Sequence, residues 1–242
     1  MNLLKDKVVL LTGAGGGIGR ATAEKLAKCG MKIILFGGNN VEKLKQTQEI
    51  VEKYSAGLAI PGDLTNPDFI RTGVQKAAAH FGGIDVLINN AGVAQNTAFE
   101  DISLEEFDKI MAINLRTPFI LTQQVLPYLK NSSSATIINI ASVVSHAGYP
   151  QQSIYTASKH ALLGMTKSVA REYYKDNIRV HAIAPGGVYT DMVKVSRPDL
   201  TPDGMILPLD IADIVHFFLA NRGNAVIDEI IVHRVGKEPF LV

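Results

Sequence analysis

The sequence predicts one α/β domain: a doubly wound parallel sheet of about seven strands with helices on both faces, spanning residues 1–242. Two patterns point there. Short apolar runs alternate with longer helical stretches from end to end, and most of those runs are continuously apolar, as suits strands buried on both faces. A glycine turn, Thr12-Gly13-Ala14-Gly15-Gly16-Gly17-Ile18-Gly19, also joins the first run to the first helix.

The expected strands are residues 7–12, 32–36, 58–61, 85–89, 135–141, 179–185 and 225–232. The expected helices are 18–29, 41–54, 67–81, 104–130, 153–174 and 211–220, with a bend or break in the fourth from Pro118 and Pro127. Residues 191–209 carry Pro198, Pro202, Gly204 and Pro208, which disfavour a continuous helix. They follow the sixth strand at the carboxyl edge of the sheet, where such folds bind ligands, and read as a lid over the substrate or as a plain connecting loop.

Bulk properties narrow the function. At 242 residues, with 47% hydrophobic and 19% charged residues, the chain suits one sizeable core. A net charge of +1 offers no basic field for nucleic acid or anionic membrane. The apolar stretch Val8-Val9-Leu10-Leu11 is too short for a secretory core, and no run approaches the ~18 residues of a membrane span, so a cytoplasmic location is expected. Cys29, the single cysteine, reads as an idle thiol, and no metal site is expected.

The glycine turn is placed to bind a dinucleotide. A strand, a glycine turn and a helix start present backbone N–H groups and the positive helix end to a pyrophosphate. Gly13 allows the tight turn, and Gly17 and Gly19 allow close approach. Choice of cofactor rests on the residues after the second strand, where a carboxylate selects NAD and a cation NADP. Here Phe36-Gly37-Gly38-Asn39-Asn40 carries neither, and Lys43 is the nearest cation. NAD and NADP both stay open, with the missing cation leaning towards NAD. Asp63, before Leu64, reads either as an acceptor for an adenine amino group or as a turn residue. In Asn89-Asn90-Ala91-Gly92 the asparagines can tie strand ends together and wall the cofactor.

A proton-transfer site is the second feature. Tyr155 and Lys159 are four residues apart, hence on one helix face, and Ser142 ends the fifth strand. Bringing a phenol from pKa 10 to about 7 takes roughly 4 kcal/mol, which one cation about 4 Å away at an effective dielectric of 20 supplies. Ser142 is placed to hold a carbonyl oxygen. Asn114, in an apolar stretch, needs buried partners. Gln95 after the fourth strand, His146, Tyr149 and Gln152 after the fifth, and Tyr189 and Met192 at the start of the lid are the expected substrate-lining residues.

Taken together, the order T-G-x-x-x-G-I-G, N-N-A-G, Asn114, Ser142, Y-x-x-x-K and Pro185-Gly186 resembles the classical short-chain dehydrogenase/reductase family, whose fold is Rossmann-like, over nearly the whole chain. The resemblance implies that Tyr155 is the general acid/base, that Lys159 lowers its pKa and binds the nicotinamide ribose, that Ser142 orients the substrate oxygen, and that Asn114 holds a water in a proton relay. It implies cofactor contacts from Thr12, Gly13, Gly15, Gly17, Ile18 and Gly19, from Asp63 and Leu64 at the adenine, from Asn90, Ala91 and Gly92, and from Pro185, Gly186, Val188 and Thr190 at the nicotinamide.

The implied reaction interconverts a secondary alcohol and a ketone or aldehyde with NAD or NADP, on a small-molecule substrate, in a homodimer or homotetramer. Two other readings stand beside it. One is a 3-oxoacyl-carrier-protein reductase of fatty-acid synthesis, with Arg116, Lys194 and Arg197 for an acidic carrier; the other is a dinucleotide sensor without chemistry. The chain departs from the family at Gly37-Gly38, where a charged selector is usual, and near residue 236, where the Asp-Gly-Gly that often helps build one subunit interface is missing, which bears on the tetramer more than on the dimer.

Overall fold

The computed structural model describes residues 3–191, 193 and 201–238. Seven strands form one parallel sheet: β1 Val8–Thr12, β2 Lys32–Phe36, β3 Gly57–Ile60, β4 Val86–Asn89, β5 Thr136–Ile140, β6 Arg179–Pro185 and β7 Glu229–Val232. Their spatial order is β3-β2-β1-β4-β5-β6-β7. The order reverses between β1 and β4, and the crevice at their carboxyl ends is where a fold of this kind receives a ligand. Every residue of β1 and of β5 is buried, as the continuous apolar runs required.

The helices are α1 Gly17–Lys28, α2 Val41–Val51, α3 Pro67–Phe81, α4 Leu104–Met111, α5 Thr117–Leu129, α6 Ser153–Tyr173 and α7 Pro208–Ala220. One core gathers Leu26 of α1, Leu44 and Val51 of α2, and Ile211, Val215 and Phe218 of α7 against one sheet face. The other gathers Ile70 and Val74 of α3 and Leu121, Val125 and Leu129 of α5, with Val169 and Ala170 of α6 at its edge. Local chemistry sets several helix starts. The Asn40 side chain accepts from Lys43 N at α2, Asn66 accepts from Asp68 N and Phe69 N at α3, and Ser103 accepts from Glu106 N at α4.

Two expected elements come out differently. The helix expected over 104–130 is two helices joined by a π-helical turn, Ala112–Arg116. Pro118 falls in the first turn of α5, where its missing N–H is tolerated, and Pro127 lies within that helix without ending it. The last strand is shorter than expected, Glu229–Val232, with the Asp228 carbonyl accepting from Ala182 N at 2.9 Å at its start. Cys29 caps α1, and burial pushes its thiol up, away from the reactive thiolate form. Ala157 and Gly164 of α6 face outward rather than onto the sheet.

Among the described residues, no helix is long and apolar enough to cross a membrane, and no group of three His, Cys, Asp or Glu side chains could hold a metal ion.

Candidate active site

The switch point is sewn shut by Thr12 and Asn90. Thr12 ends β1, and its Oγ1 accepts from the backbone N–H groups of Asn90 and Ala91, both at 3.0 Å. Asn90 Nδ2 in turn donates to the carbonyls of Thr12 at 2.9 Å and Gly13 at 3.2 Å. The glycine turn is therefore held against the β4 end before any ligand arrives. Gly13 has φ +68°, and a Cβ there would lie 2.9 Å from the Ala91 Cα; a Cβ on Gly19 would lie 2.2 Å from the Gly13 oxygen.

Helix α1 starts from Gly16, which has no side chain to cap it, so the first N–H groups of the helix have no side-chain acceptor. An exposed row of donors at a positive helix end fits a pyrophosphate. Arg20 braces the turn: Nη2 donates to the Gly15 carbonyl at 2.8 Å and Nε to Thr47 Oγ1 at 3.1 Å. Ile18 packs on the core beside the turn.

The selector region is tight. Gly37 has φ +76°, and a Cβ there would meet the Leu64 side chain at 2.3 Å. Leu64 is buried beneath it, so its side chain forms the floor of this end. The Asp63 carboxylate is spent on Thr65, accepting from its N–H and its hydroxyl at 2.8 Å, the geometry of a turn residue. Lys43 forms an ion pair with Asp191 at 3.2 Å. The neighbouring Thr190 lies over Gly17, its Cγ2 2.9 Å from where a Cβ would stand.

The proton-transfer residues converge at the carboxyl ends of β5 and β6. Ser142 follows β5; its Oγ accepts from Val144 N at 3.3 Å and donates to the Pro185 carbonyl at 3.4 Å. Tyr155 lies in the first turn of α6, where Ser142 lowers the pKa of its phenol against the effect of burial. Lys159 is buried one turn on, with Nζ 5.9 Å from the Tyr155 ring centroid. The Lys159 amine donates to the Ile140 carbonyl at 2.7 Å, and burial pushes it down to about 8.

Burial pushes the Tyr155 phenol above its ordinary value, and Ser142 opposes that shift. The bond to the Ile140 carbonyl fixes the position of the Lys159 amine beside the ring.

The structure binds Asn114 to protein rather than leaving its side chain open to water. Its Oδ1 accepts from Val93 N and its Nδ2 donates to the Val93 carbonyl, both at 2.9 Å, with a further bond to Ser158 Oγ at 3.0 Å. Asn114 sits in the π-helical turn, and Pro118, four residues on, has no N–H to offer the Asn114 carbonyl. Gly92 brings the loop after β4 close to both groups: a Cβ there would lie 3.4 Å from Asn114 Oδ1 and 3.6 Å from Lys159 Nζ.

The expected pocket residues separate. Gln95 is 4% exposed, and its Oε1 accepts from Ile154 N at 2.8 Å and Tyr155 N at 3.3 Å. His146 is drawn to β7, with Nε2 2.6 Å from Glu229 Oε1. Tyr149 is exposed, and Gln152 precedes α6 without capping it. Tyr189 is tied to Ile206, its N–H donating to the Ile206 carbonyl at 2.8 Å, and Val188 is buried beside it. Gly186 N donates to the Val232 carbonyl at 2.8 Å, which fixes the turn after Pro185. Met192, Lys194 and Arg197 lie outside the described residues.

Sequence reasoning missed the partners of Lys159 and Gln95. Both bond to backbone groups supplied by distant segments, and no local pattern announces such a partner. Ser158 was also missed, although it stands inside the Y-x-x-x-K motif and links Asn114 to the helix.

Comparison with known proteins agrees with this geometry. A family model described as short chain dehydrogenase matches residues 7–201. The chain is 37% identical over 195 residues to a D-beta-hydroxybutyrate dehydrogenase of Rhizobium meliloti, covering 80% of this chain and 76% of the relative. It is 34% identical to a 3alpha-hydroxysteroid dehydrogenase of Mediterraneibacter gnavus, covering 95% and 96%. A crystal structure of a short chain dehydrogenase from Burkholderia cenocepacia in complex with NADP superposes with a TM-score of 0.86 at 27% identity, covering 96% of this chain and 97% of that one. That complex lends no support to a preference for NAD. Fold, site geometry and relatives agree: the chain belongs to the short-chain dehydrogenase family of NAD(P)-dependent oxidoreductases.

Proposed function

We propose that the protein interconverts a secondary alcohol and a ketone or aldehyde, with Tyr155 as the general acid and base. The observation that carries this is the half-buried Tyr155 phenol beside Ser142, with the Lys159 amine against its ring, next to an uncapped glycine turn. The glycine turn and the first N–H groups of α1 would hold the pyrophosphate of NAD or NADP, and the loops after β4 and β6 would flank the nicotinamide. When bound, that dinucleotide supplies or accepts the hydride.

The chain's own residues handle the proton. Ser142 orients the carbonyl oxygen, and its bond to Tyr155 aligns the phenol with that oxygen. A phenol kept protonated by burial is competent as an acid for ketone reduction at neutral pH. In the reverse direction it must first lose its proton, so oxidation is favoured at higher pH. Lys159, a buried cation below about pH 8, supplies positive charge beside the phenolate as it forms. Asn114 holds the loop after β4 in place through Val93, and Pro118 has no N–H to offer its buried backbone carbonyl.

The test is turnover on a panel of acetoacetate, a 3-oxosteroid, an acetoacetyl thioester and simple cyclic ketones, each with NADH and NADPH. The wild type should reduce at least one of them. Tyr155→Phe should bind the dinucleotide with little change and lose turnover by about 10³-fold or more. Full turnover in that variant, or none on any substrate by the wild type despite tight dinucleotide binding, would overturn the reading.

A further inference from the structure

We propose that Gln95 is the positioning residue of the catalytic helix: its amide oxygen is a remote N-cap that fixes Tyr155 against the loop after β4. The inference rests on the role given to Tyr155 above. It begins with what α6 lacks. A helix leaves its first backbone N–H groups without partners, and a side chain at the N-cap position ordinarily accepts from the second or third of them. In α6 that position is Gln152, whose side chain makes no such bond. The second and third helical residues are Ile154 and Tyr155, and both of their N–H groups donate to Gln95 Oε1, at 2.8 and 3.3 Å.

The cap comes from a segment about sixty residues earlier in the chain, and that segment also touches the rest of the site. Val93 is held by Asn114 on both its N–H and its carbonyl. Gly92 lies against Lys159 and Asn114. Thr97 N donates to the Gln151 carbonyl at 3.1 Å, closing the segment onto the approach to α6. One short loop therefore carries the contacts that set Asn114, Lys159 and Tyr155 relative to one another. Gln95 supplies the contact to Tyr155.

The neutrality of the cap matters. A carboxylate would accept the same two N–H groups and complement the positive helix end better than an amide. It would also place a negative charge beside the phenol that must ionise. The groups facing that phenol are the Ser142 hydroxyl from the β5 end and the Lys159 amine from the same helix, and no carboxylate is among those that move it. Gln95 Nε2 is buried with no hydrogen-bond partner, a cost accepted where Glu would have removed the unmatched donor. An amide at this position caps the helix without adding charge to the site.

Three variants separate this from a purely structural role. Gln95→Met keeps the volume and removes the acceptor, Gln95→Ala removes both, and Gln95→Glu keeps the acceptor and adds charge. Dinucleotide binding is measured by titration with NADPH and NADH, and stability by thermal melting. Reduction is followed across pH with the best substrate of the panel, and Tyr155 ionisation by phenolate absorbance relative to Tyr155→Phe.

Gln95→Met and Gln95→Ala should lower kcat by at least about tenfold while the dissociation constant of the dinucleotide stays within about twofold. Gln95→Glu should melt at or above the wild-type temperature. Its Tyr155 ionisation, and the limb of the pH profile that follows it, should move up by about one unit, as a charge within ~10 Å at an effective dielectric of about 20 requires.

If Gln95→Glu restores stability with an unmoved pH profile, or if Gln95→Met keeps wild-type kcat, the positioning role is wrong. If Tyr155→Phe keeps turnover, the reading of Tyr155 itself fails, and the two failures are distinct.

Discussion

Asn114 and Val93 form a closed ring across the active site: the amide oxygen of Asn114 accepts from Val93 N and its amide nitrogen donates to Val93 O, each at 2.9 Å. Asn114 is fully buried, so both backbone groups of Val93 depend on it. Asn114→Leu fills the space but leaves a donor and an acceptor unmatched. It should cost about 2–3 kcal/mol of stability, read as a lower urea midpoint at unchanged slope, together with a fall in kcat. An unchanged midpoint would mean that water replaces the amide at no cost.

Lys159 gives the protein a pH-dependent stability of definite sign. Its folded pKa of about 8 lies below its ordinary 10.5, so between these values the unfolded chain binds the extra proton. Stability from this group is therefore lowest below pH 8 and recovers as the amine deprotonates in the folded state. The difference between wild type and Lys159→Met should shrink by up to about 3 kcal/mol on going from pH 7 towards pH 10, at ~1.36 kcal/mol per unit. Tyr155 runs the other way, since its raised phenol favours the folded state less once the unfolded tyrosine ionises above pH 10. Urea midpoints between pH 7 and 10 isolate the lysine.

Thr12 joins the ends of β1 and β4 through one hydroxyl. Thr12→Val keeps the shape and strands the N–H groups of Asn90 and Ala91. The expected loss is about 1–3 kcal/mol of stability with a weaker dinucleotide complex, seen by melting and calorimetry. A variant that weakens neither would show that the glycine turn holds its shape without this tie.

The selector position cannot simply be refilled. A side chain at Gly37 meets Leu64 at 2.3 Å and is strained at φ +76°, so Gly37→Asp should destabilise by more than about 2 kcal/mol rather than confer NAD preference. Asn39 is exposed at the same end. Asn39→Arg should raise the NADPH-to-NADH affinity ratio about tenfold with a melting temperature close to wild type. An unchanged ratio would place the 2′-phosphate elsewhere.

Most of the fold was legible because it rests on period and burial. A run such as Val8-Val9-Leu10-Leu11 is apolar on both faces, and only a covered parallel sheet accommodates it. The register of the motifs along the chain located Ser142, Tyr155 and Lys159, which the structure brings together. What stayed hidden depends on partners far away in sequence. The bond from Lys159 to the Ile140 carbonyl fixes where the amine sits beside Tyr155, and no local pattern announces that partner. The helix expected over 104–130 does break, but not where its prolines stand. The prolines were visible, but the π turn that absorbs the break comes before Pro118, at Asn114.

The packing of Gly19 on the Gly13 carbonyl has a thermodynamic corollary. A turn that admits no side chain at either residue has almost nowhere else to go, so the seat for the pyrophosphate exists whether or not anything occupies it. Little chain entropy is then surrendered there on association, and amide exchange in the turn should be equally slow with and without nucleotide.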